Sequence, residues 1–241
     1  MKKTVIVKTG HTIPSLLAGG EDFEDWIIAT SGFDSEQFAT VSVFSGDRLP
    51  ELDDCAALIV TGSPAYVTDL EPWSEATAGI LRSALKRQLP VLGICYGHQL
   101  LAHCLGGRVD FHPRGREIGT VPINLSAAGT EDPLLGSLPR VFPAQVSHSQ
   151  TVLKLPPEAV LLAGNGFEPH HAFRVGTNAW GLQFHPEFSA RITRAYIEER
   201  RQQLVSEGLD PEGLLEQVGP TPESAHLLGR FMELVKETVQ N

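Results

Sequence analysis

Short apolar segments alternate with helix-like segments over the first hundred residues. Apolar runs typical of buried strands occupy residues 4–7, 39–44, 56–62 and 91–95. Residues 22–29 have helical potential, and a second helix is indicated by apolar residues at the spacing of one helix face: Trp73, Ala76, Ile80, Leu81, Ala84 and Leu85. Continuous apolar strands that alternate with helices predict a parallel sheet covered on both faces.

The pattern changes between residues 121 and 188. Several short strands separated by turn residues are predicted at 121–125, 144–147, 159–164, 172–175 and 180–184. We expect some of them to extend the sheet in antiparallel fashion. The whole pattern therefore predicts an α/β fold: a mostly parallel open sheet flanked by helices, with antiparallel strands appended.

The chain becomes helical after Glu187. Asp210-Pro211 and Thr221-Pro222 each resemble an N-cap followed by proline at the first helical position. The last helix carries an apolar stripe formed by Leu227, Leu228, Phe231, Val235 and Val239. We expect one domain over residues 1–190 and a helical C-terminal extension over residues 191–241, docked on the same domain.

Composition excludes some classes of partner. The 241 residues suffice for one large domain or two small ones, and the 41% hydrophobic content is ordinary for a soluble globular protein. With 19 basic and 29 acidic residues the formal charge is −10, which repels nucleic acid and acidic membranes. We therefore expect no nucleic-acid partner and no membrane partner.

Cysteine usage predicts a reducing compartment. Cys55, Cys95 and Cys104 are odd in number and lack C-x-x-C spacing, which argues against a disulfide framework or a thiolate zinc site. Residues 4–7 are too short for a signal-peptide core, and no run approaches a membrane span. A cytoplasmic location is expected. Four histidines lack metal-ligand spacing and are predicted to be packing or surface residues: His98, His103, His170 and His171.

The candidate nucleophile is Cys95. It ends an apolar run and lies between Gly93 and Gly97, in the arrangement of a tight strand-to-helix turn that exposes a side chain to a ligand. The N-terminus of the following helix favours the thiolate over the thiol. The same pattern also fits a buried core cysteine beside two loop glycines, so the motif needs support from elsewhere in the chain.

That support comes from His185 and Glu187. We expect both to lie on a strand, where residues two apart face the same side and the carboxylate can orient the imidazole. Pro186 between them indicates that this strand ends or lies at an edge. Together with Cys95 they supply the nucleophile, base and orienting group of a covalent hydrolytic mechanism. The alternative is an exposed loop pair without a function.

Five motifs in order carry a resemblance to a known family. They are TGSPAYV (61–67), PVLGICYGHQLLA (90–102), REIG (116–119), VSHSQ (146–150) and GLQFHPEFS (181–189). The combination resembles the class I glutamine amidotransferases, whose fold is flavodoxin-like, and is most similar to the GMP-synthase-like branch. The resemblance covers roughly residues 4 to 190.

The resemblance implies a triad of Cys95, His185 and Glu187. Cys95 would attack the side-chain amide of glutamine, and His185, oriented by Glu187, would serve as base and then as acid toward departing ammonia. A γ-glutamyl thioester follows, which water cleaves to glutamate. The backbone amides of Gly62 and Tyr96 match the oxyanion-hole positions.

The resemblance also assigns substrate contacts. Gln99, one helical turn after Cys95, is expected to contact the backbone end of the substrate. Ser147, His148 and Ser149 match a segment that holds the α-amino and α-carboxyl groups, partly through main chain. Glu117 matches a position near the site whose role could also be structural. No cofactor and no metal are expected.

Three functions stay open at this point. The first is a glutamine amidotransferase that passes ammonia to a separate synthetase, because the chain has no P-loop pattern of its own. The second is a free-standing γ-glutamyl peptide or conjugate hydrolase with the same triad. The third is a non-catalytic relative that uses Cys95 as a redox sensor, against which the complete triad argues. Three roles are open for the C-terminal extension: docking of a partner, formation of a homodimer, or covering of the sheet.

Overall fold

A computed structural model describes residues 2–240, with side chains through Thr238. The strands are β1 (Lys3–Lys8), β2 (Phe38–Ser42), β3 (Cys55–Val60), β4 (Val91–Ile94), β5 (Arg108–Phe111), β6 (Glu117–Leu125), β7 (Val141–His148), β8 (Gln150–Lys154), β9 (Ala159–Gly164), β10 (Ala172–Val175) and β11 (Ala179–Leu182). The α-helices are α1 (Pro14–Ala18), α2 (Phe23–Ser31), α3 (Pro72–Lys86), α4 (Tyr96–Cys104), α5 (Ala127–Thr130), α6 (Ala190–Glu199), α7 (Arg201–Ser206), α8 (Pro211–Gln217) and α9 (Pro222–Gln240).

Nine strands form one mixed sheet in the order β2-β1-β3-β4-β11-β10-β9-β6-β7. The first five run parallel, and β10, β9, β6 and β7 continue the sheet with antiparallel pairings. Strands β5 and β8 form a separate antiparallel pair. The predicted α/β fold with appended antiparallel strands and a helical C-terminus is confirmed. The small β5–β8 sheet was not predicted.

Two predicted strands end earlier than expected. Residues 43–45 form a 3₁₀ turn instead of continuing β2, and Gly46 closes this turn with φ of 95°. The strand expected over residues 180–184 ends at Leu182, so the prediction that His185 and Glu187 lie on a strand was wrong. His185 makes one isolated antiparallel bridge with Gln145, and Glu187 lies in the turn that follows. The chain leaves the sheet before Pro186, which has no N–H for a ladder hydrogen bond.

The sheet is covered on both faces by helices. On one face α3 and α4 pack against the parallel strands and bury residues such as Leu81 and Leu101. On the other face α2 and α9 pack on the sheet, and the ring centroids of Phe231 and Trp180 lie 6.1 Å apart. No helix within residues 2–240 combines the length and apolar character needed to cross a bilayer.

The C-terminal helix shares the core of the sheet. Of the predicted stripe, the four residues from Leu227 to Val235 are buried in the same cluster as Leu92 and Trp180. The side chain of Val239 lies outside the described residues, as does Asn241, the last residue of the expected extension. A division of the chain at residue 190 stays a prediction.

Candidate active site

The loop between β4 and α4 presents Cys95. Its backbone has φ of 52° and ψ of −98°, an unusual conformation for a residue other than glycine. Its N–H donates to the carbonyl oxygen of Leu182 at 2.7 Å, which fastens the turn to β11. Such strain, about 1–3 kcal/mol, persists where the surrounding structure enforces it and is common at functional sites. The strained position is the predicted nucleophile itself.

The two flanking glycines allow β3, β4 and α4 to approach closely. A Cβ on Gly93 would lie 2.4 Å from the carbonyl oxygen of Gly97, and a Cβ on Gly97 would lie 2.4 Å from that of Val60. Neither contact is compatible with any side chain. The G-x-C-x-G spacing is therefore required by packing of the strand against the helix that follows it.

His185 and Glu187 contact each other through the turn. Nδ1 of His185 donates to Oε1 of Glu187 at 2.7 Å, and both side chains are buried. Phe188 stacks on the imidazole with ring centroids 4.0 Å apart, and Phe23 continues the stack. Nε2 of His185 has no hydrogen-bond partner among residues 2–240, which leaves it available to the Cys95 thiol. The ring is thus held in one orientation.

Cys95 and His185 change each other's protonation. Burial alone would raise the pKa of the Cys95 thiol, but the charge and hydrogen bonding of His185 together with the charge of His148 outweigh burial, so this pKa lies below its ordinary value of 9.0. Burial opposes the imidazolium as well, yet Glu187 and Cys95 raise the pKa of His185 to about 10. Both shifts act in the direction of a thiolate–imidazolium pair.

The two predicted oxyanion-hole residues flank the thiol. The main-chain N–H groups of Gly62 and Tyr96 donate no hydrogen bond within the described chain. A Cβ on Gly62 would lie 3.0 Å from Cε1 of His185, so this residue borders the imidazole. The Tyr96 hydroxyl is instead hydrogen-bonded to Oγ of Ser74 at 2.5 Å, and burial raises its pKa to about 12. Only the backbone of Tyr96 is available to a ligand at Cys95.

Two cavities meet at Cys95. The smaller, of about 240 Å³, is lined by predicted substrate-binding residues: Gln99, Ser147, His148 and Ser149. The larger, of about 770 Å³, extends past His185 toward Ile13, Phe44 and Trp73. Cys95 and Ser147 line both cavities, and the carbonyl oxygen of Ser147 lies 3.9 Å from Sγ of Cys95. The thiol can therefore contact an acyl group on one side and a leaving group on the other.

The amide nitrogen of Gln99 is already occupied. It donates to the carbonyl oxygen of Gln150 at 2.8 Å and to Oε1 of Gln183 at 3.0 Å. Gln99 therefore forms the wall of the smaller cavity without a free amide donor. Its expected contact with the substrate stays a prediction.

Glu117 holds His148 in place. The sequence left open whether Glu117 has a functional or a structural role. Nε2 of His148 donates to Oε2 of Glu117 at 3.1 Å, and Nδ1 contacts the carbonyl oxygen of Gln150. Nδ2 of Asn165 donates to the other carboxylate oxygen at 2.9 Å. Burial would raise the pKa of Glu117, but the two neighbouring histidines, His148 and His171, lower it strongly. Burial likewise opposes the charged His148, while Glu117 raises its pKa.

Two of the histidines predicted to be packing residues are buried near this region. Nε2 of His171 lies 3.3 Å from Oε2 of Glu117, so it belongs to the Glu117 cluster. His98 packs against Phe173, and burial lowers its pKa to about 3, which keeps it uncharged. One of the four histidines predicted to be packing or surface residues, His171, is therefore part of the Glu117 cluster.

The sequence did not identify two residues that border the site: Tyr196 in α6 and Arg200 at the end of that helix. Nη1 of Arg200 donates to Oγ of Ser147 at 3.0 Å, and its guanidinium lies 5.0 Å from the Tyr196 ring centre. The Tyr196 hydroxyl is hydrogen-bonded to Thr12 at 2.9 Å. The one signal available was their spacing of four residues, which places both on one helix face.

A family model for glutamine amidotransferase class-I matches residues 32–202. The chain belongs to the class I glutamine amidotransferases. The resemblance carried by the five motifs is thereby confirmed.

Relatives within this family agree with the GMP-synthase-like branch. The chain is 36% identical over 174 residues to a glutamine-hydrolyzing GMP synthase of Porphyromonas gingivalis, covering 71% of this chain and 31% of that protein. It therefore spans about a third of the length of that relative. It is 31% identical over 169 residues to YfeJ of Salmonella typhimurium, named as a glutamine amidotransferase-like protein, covering 67% of this chain and 70% of that one.

Solved structures share the fold of this amidotransferase. A glutamine amidotransferase of Thermotoga maritima superposes with a TM-score of 0.75 at 23% identity, covering 98% of this chain and 100% of that chain. One from Methylobacillus flagellatus gives a TM-score of 0.73 at 24% identity, covering 97% and 95%. These likenesses concern the fold.

Proposed function

We propose that the protein hydrolyses the side-chain amide of glutamine through a cysteinyl thioester at Cys95. The observation that carries this proposal is the buried His185–Glu187 pair, in which the carboxylate holds Nδ1 at 2.7 Å and leaves Nε2 for the thiol. A core cysteine would need no such neighbour, and Cys104 has none: its thiol donates to the carbonyl oxygen of Leu101.

The chemistry follows from this arrangement. The Cys95 thiolate attacks the amide carbon, and the negative charge that develops on the amide oxygen is received by the N–H groups of Gly62 and Tyr96. The His185 imidazolium gives its proton to the amide nitrogen, the C–N bond breaks, and ammonia leaves a γ-glutamyl thioester. His185 then takes a proton from water, hydroxide attacks the thioester, and the thiolate departs as glutamate forms.

Ammonia released here needs an acceptor. The named function of the Porphyromonas relative is GMP synthesis with glutamine hydrolysis, and this chain corresponds to about a third of that protein. We propose that a synthetase outside residues 1–241 receives the ammonia. The chain carries no P-loop pattern with which it could itself activate an acceptor.

A second candidate function is favoured by the larger cavity. Ammonia is a small leaving group, whereas about 770 Å³ opens beside His185 and is bordered by apolar side chains such as Ile13, Phe44 and Trp73. A cavity of that size and lining suits an amine with an apolar body. The second candidate is therefore a γ-glutamyl peptide or conjugate hydrolase that uses the same triad.

The test compares release of glutamate from glutamine and from a set of γ-glutamyl dipeptides by the purified protein. We expect glutamine to be hydrolysed and Cys95→Ala to abolish turnover while the unfolding temperature stays close to that of the wild type. Cys104→Ala is the matched control, because it removes another buried thiol and should keep activity. Fast cleavage of dipeptides with poor glutamine turnover would select the second candidate, and near wild-type activity of Cys95→Ala would refute the nucleophile.

A further inference from the structure

One arginine of the C-terminal helices lies at the site without an acidic partner. Arg200 lines both cavities that meet at Cys95, although it belongs to the segment that no sequence motif describes. Among the described residues, the only hydrogen bond of its side chain is the one that Nη1 donates to the Ser147 hydroxyl at 3.0 Å. A guanidinium has five N–H donors, so most of its binding capacity is unused.

The neighbouring arginines each have a carboxylate or carbonyl partner. Arg191 pairs with Glu21, Arg201 pairs with Glu198 and Glu212, and Arg194 donates to two main-chain carbonyl oxygens. Arg116, which lines the smaller cavity beside Arg200, forms a bidentate pair with Glu207 at 2.9 and 3.0 Å. Within the described chain no ion pair joins Arg200 to a carboxylate, in a protein with an excess of acidic residues.

The surroundings of Arg200 are unfavourable for a cation by themselves. Burial lowers the pKa of its guanidinium, and the positive charge of Arg116 lowers it further. A partly buried charge of this kind is stabilised by an anion that completes its hydrogen bonds. No carboxylate of the described chain has that role, and the Cys95 thiolate attracts the guanidinium only through its charge. The unused N–H donors of Arg200 are therefore available to an anionic ligand.

The smaller cavity suits an anion better than the larger one. Its lining includes Arg116, Arg200 and His148, and no aspartate or glutamate of the described residues is among it. The larger cavity is bordered by Glu71 and Glu199. A negatively charged group is therefore favoured on the Ser147–His148 side of the thiol, where the acyl part of the substrate would lie.

We propose that Arg200 binds the α-carboxylate of the γ-glutamyl substrate in the smaller cavity, with Ser147 positioning its guanidinium. This inference rests on the proposed function for the identity of the substrate. It makes the C-terminal helices part of the binding site, because the end of α6 supplies a residue that contacts the ligand. Arg200 would then determine specificity for glutamyl groups with a free α-carboxylate.

Binding is measured in a Cys95→Ala background, which cannot turn over substrate. Calorimetry compares L-glutamine with its α-carboxamide analogue, which lacks the negative charge. Arg200→Met should weaken glutamine binding roughly 10- to 100-fold, the range of a charge-assisted hydrogen bond, and leave binding of the analogue unchanged. Arg200→Lys should recover part of the affinity. Arg201→Met, adjacent in sequence and paired outside both cavities, is the matched control and should bind like the parent.

The outcomes separate this inference from the proposed function. Equal weakening of both ligands by Arg200→Met, or no weakening of either, would overturn the carboxylate assignment even if the wild type hydrolyses glutamine. Selective loss of glutamine binding would support it even if no hydrolysis is detected. A second pair of ligands, γ-glutamylglycine and γ-glutamyl methylamide, differs by a carboxylate on the leaving group. If only the glycine compound loses affinity, Arg200 binds the leaving group and the α-carboxylate assignment is wrong.

Discussion

Gly62 borders the imidazole of His185 so closely that a Cβ at position 62 would lie 3.0 Å from Cε1 of that ring. The other side of the ring is covered by Phe188, and Phe23 also lies near Gly62. His185 therefore has little space into which it could move. The position of the Gly62 main chain therefore restricts the orientation of His185, although 123 positions separate the two residues in the sequence.

Substitution Gly62→Ala tests this contact. The new methyl group should displace His185 by a few tenths of an ångström, and we expect kcat to fall up to about tenfold, because small misplacements of a catalytic group are costly. The measurement is the steady-state rate of glutamate release. Gly166→Ala is the control, since its Cβ would meet no atom within 4 Å. Unchanged kcat in Gly62→Ala would show that His185 tolerates the shift.

Glu187→Gln tests the orienting carboxylate. We expect kcat to fall at least about tenfold, yet less than in Cys95→Ala, because the amide can still contact the ring but no longer stabilises its charge. Glu187 raises the pKa of His185. Its removal should therefore deprotonate the imidazolium at lower pH and move the alkaline limb of the kcat/KM profile to lower pH. An unshifted profile with full activity would contradict the orienting role.

The three thiols should differ in their reaction with iodoacetamide. Burial raises the pKa of Cys104 to about 12 and raises that of Cys55, whereas the pKa of Cys95 is lowered. The thiolate fraction rises as pH passes the pKa, so Cys95 should be alkylated first and at the lowest pH. Peptide mass spectrometry at a series of pH values measures this order. His185→Gln should move the Cys95 midpoint upward, and earlier labelling of another cysteine would argue against an activated Cys95.

Glu117→Gln tests the buried cluster with His148. Removing one partner of a buried pair typically costs about 3–5 kcal/mol of unfolding free energy. The pKa of Glu117 is lowered from 4.5, so its contribution is present above that value and is lost as pH falls. The pKa of His148 is raised from 6.5, so its contribution is present below that value and is lost as pH rises through the folded pKa.

The stability difference between wild type and Glu117→Gln should therefore be largest at roughly pH 5–6 and should shrink in stronger acid. Urea unfolding at several pH values measures it. Glu131→Gln, at an exposed position, is the control and should leave stability within about 0.5 kcal/mol of the wild type. A pH-independent difference would mean that the Glu117 carboxylate does not act through charge.

Local patterns in the sequence determined much of the fold and the centre of the site. The strands at 159–164 and 172–175 were predicted with the bounds that the structure has. The G-x-C-x-G motif indicated Cys95 because its glycines are required where adjacent segments of chain approach each other. These features depend on steric requirements among residues close together in the sequence, so a short segment is enough to predict them.

The tertiary structure decided how distant residues meet. His185 and Glu187 were expected to meet on a strand, but they contact through a turn because the chain leaves the sheet after Leu182. The hydrogen bond from Arg200 to Ser147 joins positions 53 residues apart and follows from how α6 packs beside β7. No local pattern encodes such a contact, since it depends on the arrangement of whole elements. The sequence therefore determined the candidate nucleophile and the turn that presents it, and packing determined which groups surround it.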